Sequence, residues 1–366
     1  MADPIRVGIV GATVTPGGSG WGANAHVPAL QALPEYDLTA VCTAHEDTAK
    51  ASAEAFGAEL AFSDMHEMVS HPNVDVVAVV VRVPSHRDLV MTALEANKPV
   101  CCEWPLGAHL ADAREMADAV QQRGLKTLVG LQAQSDPVVM YARDLVASGE
   151  IGDIVTVNLR VMVGAITERG DGRIWQGIRA NGANPMTIPG GHAIDALCYL
   201  VGEFAEVSAR VTTRIDTWKH AVTGADFAVD APDTVTAAGL LKSGAEVAYQ
   251  VASVPHNASG TRMEIYGRTG TLVLTSKSVN IGPSQLHMAK GNEKLAELTP
   301  PERYRLIPAD MAPGPGRNVG QAYARFAQAL RPGAAPAPDF QQAVDRHALI
   351  DAMERSSKEG KMVGLA

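Results

Sequence analysis

Residues 73–107 read NVDVVAVVVRVPSHRDLVMTALEANKPVCCEWPLG, and on this stretch the fold turns. Val76–Val81 carries no charge, which suits a strand buried on both faces rather than one with a wet side. Asp88–Lys98 has helical spacing, and Pro99–Gly107 starts as a second apolar strand that breaks at Glu103-Trp104-Pro105. Strand, helix and strand in succession form a right-handed crossover in a parallel sheet. A carboxylate and an indole then stand at the mouth of that sheet, where open α/β sheets bind ligands.

The flanks extend the alternation. IRVGIVGA and YDLTAVCTA read as strands on the N-terminal side, with ANAHVPALQALP and EDTAKASAEAFG as helices, the second stopping at Gly57. ADAREMADAVQQRG and the strand LKTLVGLQAQ follow on the C-terminal side. The first domain, residues 1–131, is therefore predicted to be a doubly wound parallel sheet. Beyond it the pattern changes. DPVVMYARDLVASGEIGD predicts a helix, IVTVNLRVMVGA a long strand, and GGHAIDALCYLVGE another helix. EVSARVTTRI, the pair DTVTAAGLL and AEVAYQVASV, and TRMEIYG-RTG-TLVLTS predict a mainly antiparallel sheet joined by short glycine turns. Two amphipathic helices around a Pro/Ala linker end the chain, so residues 132–366 are predicted to be a second, α+β domain.

The 366 residues carry 31 Lys and Arg against 40 Asp and Glu, a net charge of −9. That balance argues against a general nucleic-acid or anionic-membrane surface. No apolar run has spanning length, and MADPIRVGIVG enters a strand directly, so a cytoplasmic location is expected. The four cysteines lie inside apolar segments without metal-type spacing, so buried thiols and no metal site are expected.

Val7–His26, VGIVGATVTPGGSGWGANAH, puts glycines between a strand and a helix. That context suits a phosphate-binding turn, although the strict G-x-G-x-x-G pattern is absent: Gly11 fits the first position and Thr13 stands at the second. A plain strand-to-helix connection is the alternative. The next strand ends without the acid that usually binds an NAD ribose. Thr43 and His45 stand there instead, which leans slightly toward a 2′-phosphate and NADP, with a solvated loop as the bland reading.

Taken in order, RVGIVGA, the block from VDVVAVVV to KPVCCE, GEIGDIV, GGHAIDALCYLVG, IYGRTGTLVL and ALIDAMERSSKEGK resemble the Gfo/Idh/MocA oxidoreductases. These are dinucleotide-dependent enzymes acting mainly on sugars and cyclitols. The resemblance implies an N-terminal Rossmann domain, a C-terminal domain with a large open sheet, an NAD(P) cofactor, and a homodimer or homotetramer. Typical members have Glu-Lys-Pro after the fourth strand, with the lysine touching nicotinamide and substrate. Here Glu103 and Pro105 match and Trp104 replaces the lysine. Typical members also have Asp-x-x-x-His in the second domain, where His192 matches and Ile188 replaces the acid. A branch that shares GWGANAHVPAL, Glu-Trp-Pro and a TIPGGH-like segment resembles a yeast galactose-pathway repressor, which binds a dinucleotide without turning over a sugar.

The resemblance places the cofactor against Gly11, Ala12, Thr13 and Trp21 of the first turn and Thr43 and His45 of the second. It adds Arg82, Pro84 and His86 after the Val-rich strand, then Glu103, Trp104 and Gln132. His192 is the candidate acid/base, since imidazole titrates near neutral pH, or else a helix-start residue fixed by backbone. Asp195, on the same helix face, either orients His192 or pairs with a neighbour. Trp104 offers one N–H and no titratable proton, so it walls a sugar or nicotinamide ring or plugs the turn. In the loop ERGDGRIWQGIRANGANPMTIPGG, Trp175, Arg179 and Asn184 are candidate substrate contacts, with Arg173 and Asn181 beside them. Gln134 is expected near the nicotinamide region, and Tyr249 and His256 are further contributors. Two functions are open: an NAD(P)-dependent oxidoreductase on a sugar-like alcohol or carbonyl, or a non-catalytic NAD(P) sensor acting through a protein partner.

Overall fold

The computed structural model describes residues 3–14, 20–164, 167–254, 256–331, 333 and 337–365. Gly17 and Gly18 of the glycine turn and most of the Pro/Ala linker lie outside them. The chain forms two compact units.

The first unit comprises Met1–Leu131, Asp171–Arg173 and Leu306–Val344. Its strands are β1 (Ile5–Val10), β2 (Tyr36–Cys42), β3 (Leu60–Phe62), β4 (Val76–Val79), β5 (Val100–Cys102) and β6 (Thr127–Val129). All pair in parallel, in the order β3-β2-β1-β4-β5-β6, so the expected doubly wound sheet is present. Every residue of β4 is buried, as its uncharged valines require. A π-helical turn, Gly22–His26, runs straight into α1 (Val27–Ala32). Next comes α2 (Glu46–Phe56), ended by Gly57 at φ 70°, a left-handed cap that glycine adopts without strain. The crossovers α3 (Met65–Ser70), α4 (His86–Glu95) and α5 (Leu110–Arg123) complete the alternation.

The second unit comprises Gln132–Gly170, Ile174–Arg305 and Asp345–Ala366. It opens with α6 (Pro137–Ala147), whose first turn is capped by the Asp136 carboxylate accepting from Val138 N–H. A nine-stranded sheet is built on β7 (Ile154–Gly164), which pairs antiparallel with β14 (Gly260–Gly267) and parallel with β13 (Glu246–Val254). Outward from β14 lie β15 (Gly270–Ser276), β16 (Ser284–Lys290) and β17 (Ala296–Leu298). Outward from β13 lie β12 (Thr234–Leu241), β9 (Phe204–Thr212) and β18 (Val363–Gly364). The sheet is mainly antiparallel, as expected, with the single parallel pair at its centre. On it lies α7 (Pro189–Val201), and Gly190 lets the helix start sit close: a Cβ there would be 2.7 Å from the Tyr249 hydroxyl.

Three short strands, β8 (Glu168–Arg169), β10 (Thr217–His220) and β11 (Asp226–Ala228), make a second small sheet that the sequence reading missed. Trp218, Val229 and Ala231 form its core, and Gly177 packs so closely on Phe227 that a Cβ would sit 2.9 Å away.

One expectation needs correction. A single division after Leu131 assigns the whole tail to the second domain, yet Leu306–Val344 is part of the first. There α8 (Gly316–Ala329) buries Val319, Tyr323 and Phe326 in one cluster with Val7, Ile9, Leu30 and Val41. Only α9 (Phe340–Glu359) returns to the second unit along most of its length. No helix among the described residues is long and apolar enough to cross a membrane.

Candidate functional site

In the first unit the candidate residues gather at the carboxyl edge of the parallel sheet, where β1 and β4 lie side by side and the strand order reverses. Gly11 leaves β1 at φ 93°, and a Cβ would lie 2.3 Å from the Val80 carbonyl oxygen. No side chain fits there. A Cβ on Gly22 would lie 2.8 Å from Ala12 Cα, so the helix entry presses on the strand exit. These two contacts are the tight turn and the close helix–strand packing that a dinucleotide-binding turn requires, and they fit the group; Thr13 stands at the second glycine position.

At the tip of β2, Thr43 Oγ1 donates to the His45 carbonyl at 3.0 Å and lies 2.6 Å from Thr48 Oγ1. Just beyond it, Glu46 is held below its usual range by the Lys50 ammonium. Arg82 donates to the Asp171 carbonyl at 3.1 Å, and Pro84 lies in the short 3₁₀ turn Val83–Ser85.

Glu103 follows β5 with its N–H bonded to the Val79 carbonyl. Its Oε1 lies 2.9 Å from His26 Nε2, and His26 Nδ1 lies 2.8 Å from the Tyr323 hydroxyl. His26 and Tyr323 are buried, while the Glu103 side chain is 12% exposed. In the sequence His26 is one residue of the GWGANAHVPAL stretch with nothing to mark it, and Tyr323, 297 positions away, carries no signal. Trp104 is buried at 4% exposure, which favours the turn-plugging role over an open wall. His86 is not free for a cofactor. Its Nδ1 lies 2.9 Å from the Pro105 carbonyl and its Nε2 3.2 Å from that of Val81, so it braces the Glu-Trp-Pro turn.

In the second unit, Gln132–Ser135 forms a buried 3₁₀ turn. Gln134, expected near a nicotinamide, instead donates its side-chain amide to both Asp195 oxygens, at 2.9 and 3.1 Å. Arg346 of α9 approaches the same carboxylate at 3.9 Å and pairs with Glu203. Burial works against the Arg346 charge, but Cys198, Asp195 and Glu203 outweigh it and raise its pKa. Burial also pushes the Cys198 thiol up to about 12. Asp195 thus joins a polar cluster with Gln134 and Arg346, and Arg346 had no sequence signal. His192 occupies the fourth position of α7, 2% exposed, its N–H bonded to the Ile188 carbonyl at 3.0 Å.

Two of the loop candidates are spent on structure. Asn184 Oδ1 accepts from Met186 and Thr187 N–H, closing the turn before α7. Arg179 bonds Glu354 at 2.8 Å and the Asp230 carbonyl at 3.3 Å. Trp175 is half-buried, and its carbonyl accepts from the Asn181 amide. Tyr249 is buried behind the α7 start, while His256 is exposed.

Residues 5–131 match the family model for the Gfo/Idh/MocA oxidoreductases with an NAD-binding Rossmann fold, and residues 137–276 match the Gal80p C-terminal domain. A dehydrogenase of Aspergillus oryzae is 32% identical over 295 residues, spanning 77% of this chain and 79% of its own. A super-repressor mutant of Gal80p from Saccharomyces cerevisiae superposes with a TM-score of 0.87 at 23% identity, covering 99% of this chain and 98% of that one. A levoglucosan dehydrogenase in complex with NADH and levoglucosan gives 0.85 at 21% identity over 100% of both chains. At these identities the two structural likenesses speak for the fold.

Proposed function

Because the chain belongs to the Gfo/Idh/MocA oxidoreductase family, with a C-terminal domain of the Gal80p kind, we propose that it is an NAD(P)-dependent oxidoreductase acting on a sugar-like alcohol or carbonyl. The observation that carries this reading is the Glu103–His26 pair at the carboxyl edge of the Rossmann sheet. Gly11, Ala12 and the helix entry at Gly22 would hold the pyrophosphate, as their close packing supports. Bound dinucleotide supplies a hydride acceptor or donor. The protein must bind and orient the reacting carbon and handle one proton. With Trp104 in the lysine position, Glu103 of the first unit and His192 of the second are the titratable candidates. Thr43 and His45 stand at the tip of β2 where an NAD-specific site usually carries an acid, but Glu46 and Asp47 follow at once, so the lean toward NADPH over NADH is slight.

A second reading, the non-catalytic sensor, is favoured by Trp104 and Ile188 standing where the family has its lysine and acid. One experiment separates the two. NADH and NADPH are titrated against tryptophan emission, and sugars, cyclitols and glycosides are then screened in both directions by nicotinamide absorbance. Saturable quenching with turnover of at least one compound is expected. Tight binding with no turnover across the panel would transfer the protein to the sensor class. In the active protein, His192→Ala should raise KM about tenfold with a smaller loss in kcat, marking His192 as a substrate contact.

A further inference from the structure

We propose that Glu103 takes the hydroxyl proton, with His26 and Tyr323 as positioning residues behind it, in place of the absent lysine; this rests on the oxidoreductase reading. The three side chains come from different parts of the first unit: the turn after β5, the π-helical turn before α1, and α8. They meet in one row, with 2.9 Å from Glu103 to His26 and 2.8 Å from His26 to Tyr323.

An ionised carboxylate only accepts hydrogen bonds. Nε2 of His26 therefore carries the ring proton and donates it to Glu103, and Nδ1 accepts from the Tyr323 hydroxyl. Both ring nitrogens are satisfied, and the tautomer is dictated by its partners. Other groups facing the row include the Cys101 thiol, which touches the Tyr323 hydroxyl, and Tyr36, whose ring lies 5.4 Å from that of Tyr323. Tyr36 donates to the Tyr323 backbone carbonyl at 2.8 Å. At the other end, His86 and the Cys102 thiol feel the Glu103 carboxylate. Of the three, only Glu103 has appreciable exposure. The row has a buried end and one open end, and the open end is the acid.

In the oxidative direction the carbinol C–H bond breaks, and its electron pair leaves with the hydrogen to the oxidised nicotinamide dinucleotide. The O–H bond breaks as the C=O bond forms, and the proton bonds to Glu103. Reduction runs the same changes backwards, with Glu103 returning the proton. His26 does not touch the substrate. It holds the carboxylate in place through the N–H it donates.

The test has two arms. In long-range proton–nitrogen NMR spectra of full-length protein with 15N-labelled histidine, His26 should show the Nε2–H tautomer near neutral pH, and Glu103→Gln should shift its signals. A Nδ1–H tautomer, or no response to Glu103→Gln, overturns the row. In kinetics, Glu103→Gln should lower kcat about 100-fold or more with dinucleotide quenching retained. His26→Leu should lower kcat about tenfold with KM little changed, because the carboxylate loses the group that positions it. His26→Gln, whose amide also offers a donor and an acceptor, should restore most of the parent kcat and guards against misfolding of the leucine variant. If the parent turns over a substrate and Glu103→Gln matches it, the proposal alone is wrong. If the parent binds dinucleotide and turns over nothing, the oxidoreductase reading falls and the proposal with it.

Discussion

Both ring nitrogens of His86 reach backbone carbonyls, those of Pro105 and Val81, inside a site that excludes water. Burial lowers its pKa below the ordinary 6.5, and the two carbonyls only partly offset that. Above 6.5 the ring is neutral in both the folded and unfolded chain, so the folded state keeps its full stability. As pH falls below that value, the unfolded ring binds a proton that the buried ring resists, and stability declines until the folded pKa is reached. His86→Gln should therefore flatten the fall in urea midpoint between about pH 7.5 and pH 5, at some cost in stability throughout. An unchanged slope would show that other groups drive the acid sensitivity. His26 lies a few ångströms from its own partners in a similar setting, yet its neighbours are a carboxylate and a phenol instead of two carbonyls. The same side chain is a brace in one place and an acid–base support in the other.

At the scale of elements, α9 carries Arg346 into the second unit, where it is 2% exposed between Asp195 and Glu203. Removing one member of a buried ion pair costs about 3–5 kcal/mol, because the remaining charge is left uncompensated. Arg346→Leu should lose about that much in urea unfolding, and adding Asp195→Asn should recover part of it. Additive losses would mean that the two do not interact. Arg346 also marks where sequence reading stopped. DFQQAVDRHALIDAMERS reads as an amphipathic helix, and an arginine on such a helix is ordinarily solvent-facing. Its partner Glu203 lies 143 positions away. The Rossmann sheet was legible because each strand and its crossover are neighbours in sequence, as Val76–Val79, α4 and Val100–Cys102 are. The small sheet of β8, β10 and β11 was not. TWKH and DFA are too short and polar to show alternation, and their pairing depends on partners far along the chain. Within the candidate site, Glu103 and His192 were legible from their motifs. The contacts that give them meaning, to His26 and Tyr323 or to backbone, lie in tertiary structure.

At the scale of the whole molecule, the chain completes its first unit only after building most of its second. Residues 306–344 return to cover β1 and β2, placing Tyr323 and Phe326 in one core with Val7, Ile9 and Val41. A protein ending at Arg305 should therefore fail to fold in either part. It lacks α8 for the parallel sheet, and it lacks α9 and β18, whose Ser356 and Ser357 accept from Ala209 and Val211 N–H along the outer strand β9. Circular dichroism and solubility of the truncated chain check this, and a cooperative melt would contradict it. The same return path sets a schedule for synthesis. A nascent chain leaves the ribosome N-terminus first, so the Val-rich sheet waits without its cover until residues 306–344 have been made. The second unit waits longer, for α9 and β18. A stalled or prematurely terminated product would carry two unfinished cores, and its fate would rest with the cell's holding and disposal machinery.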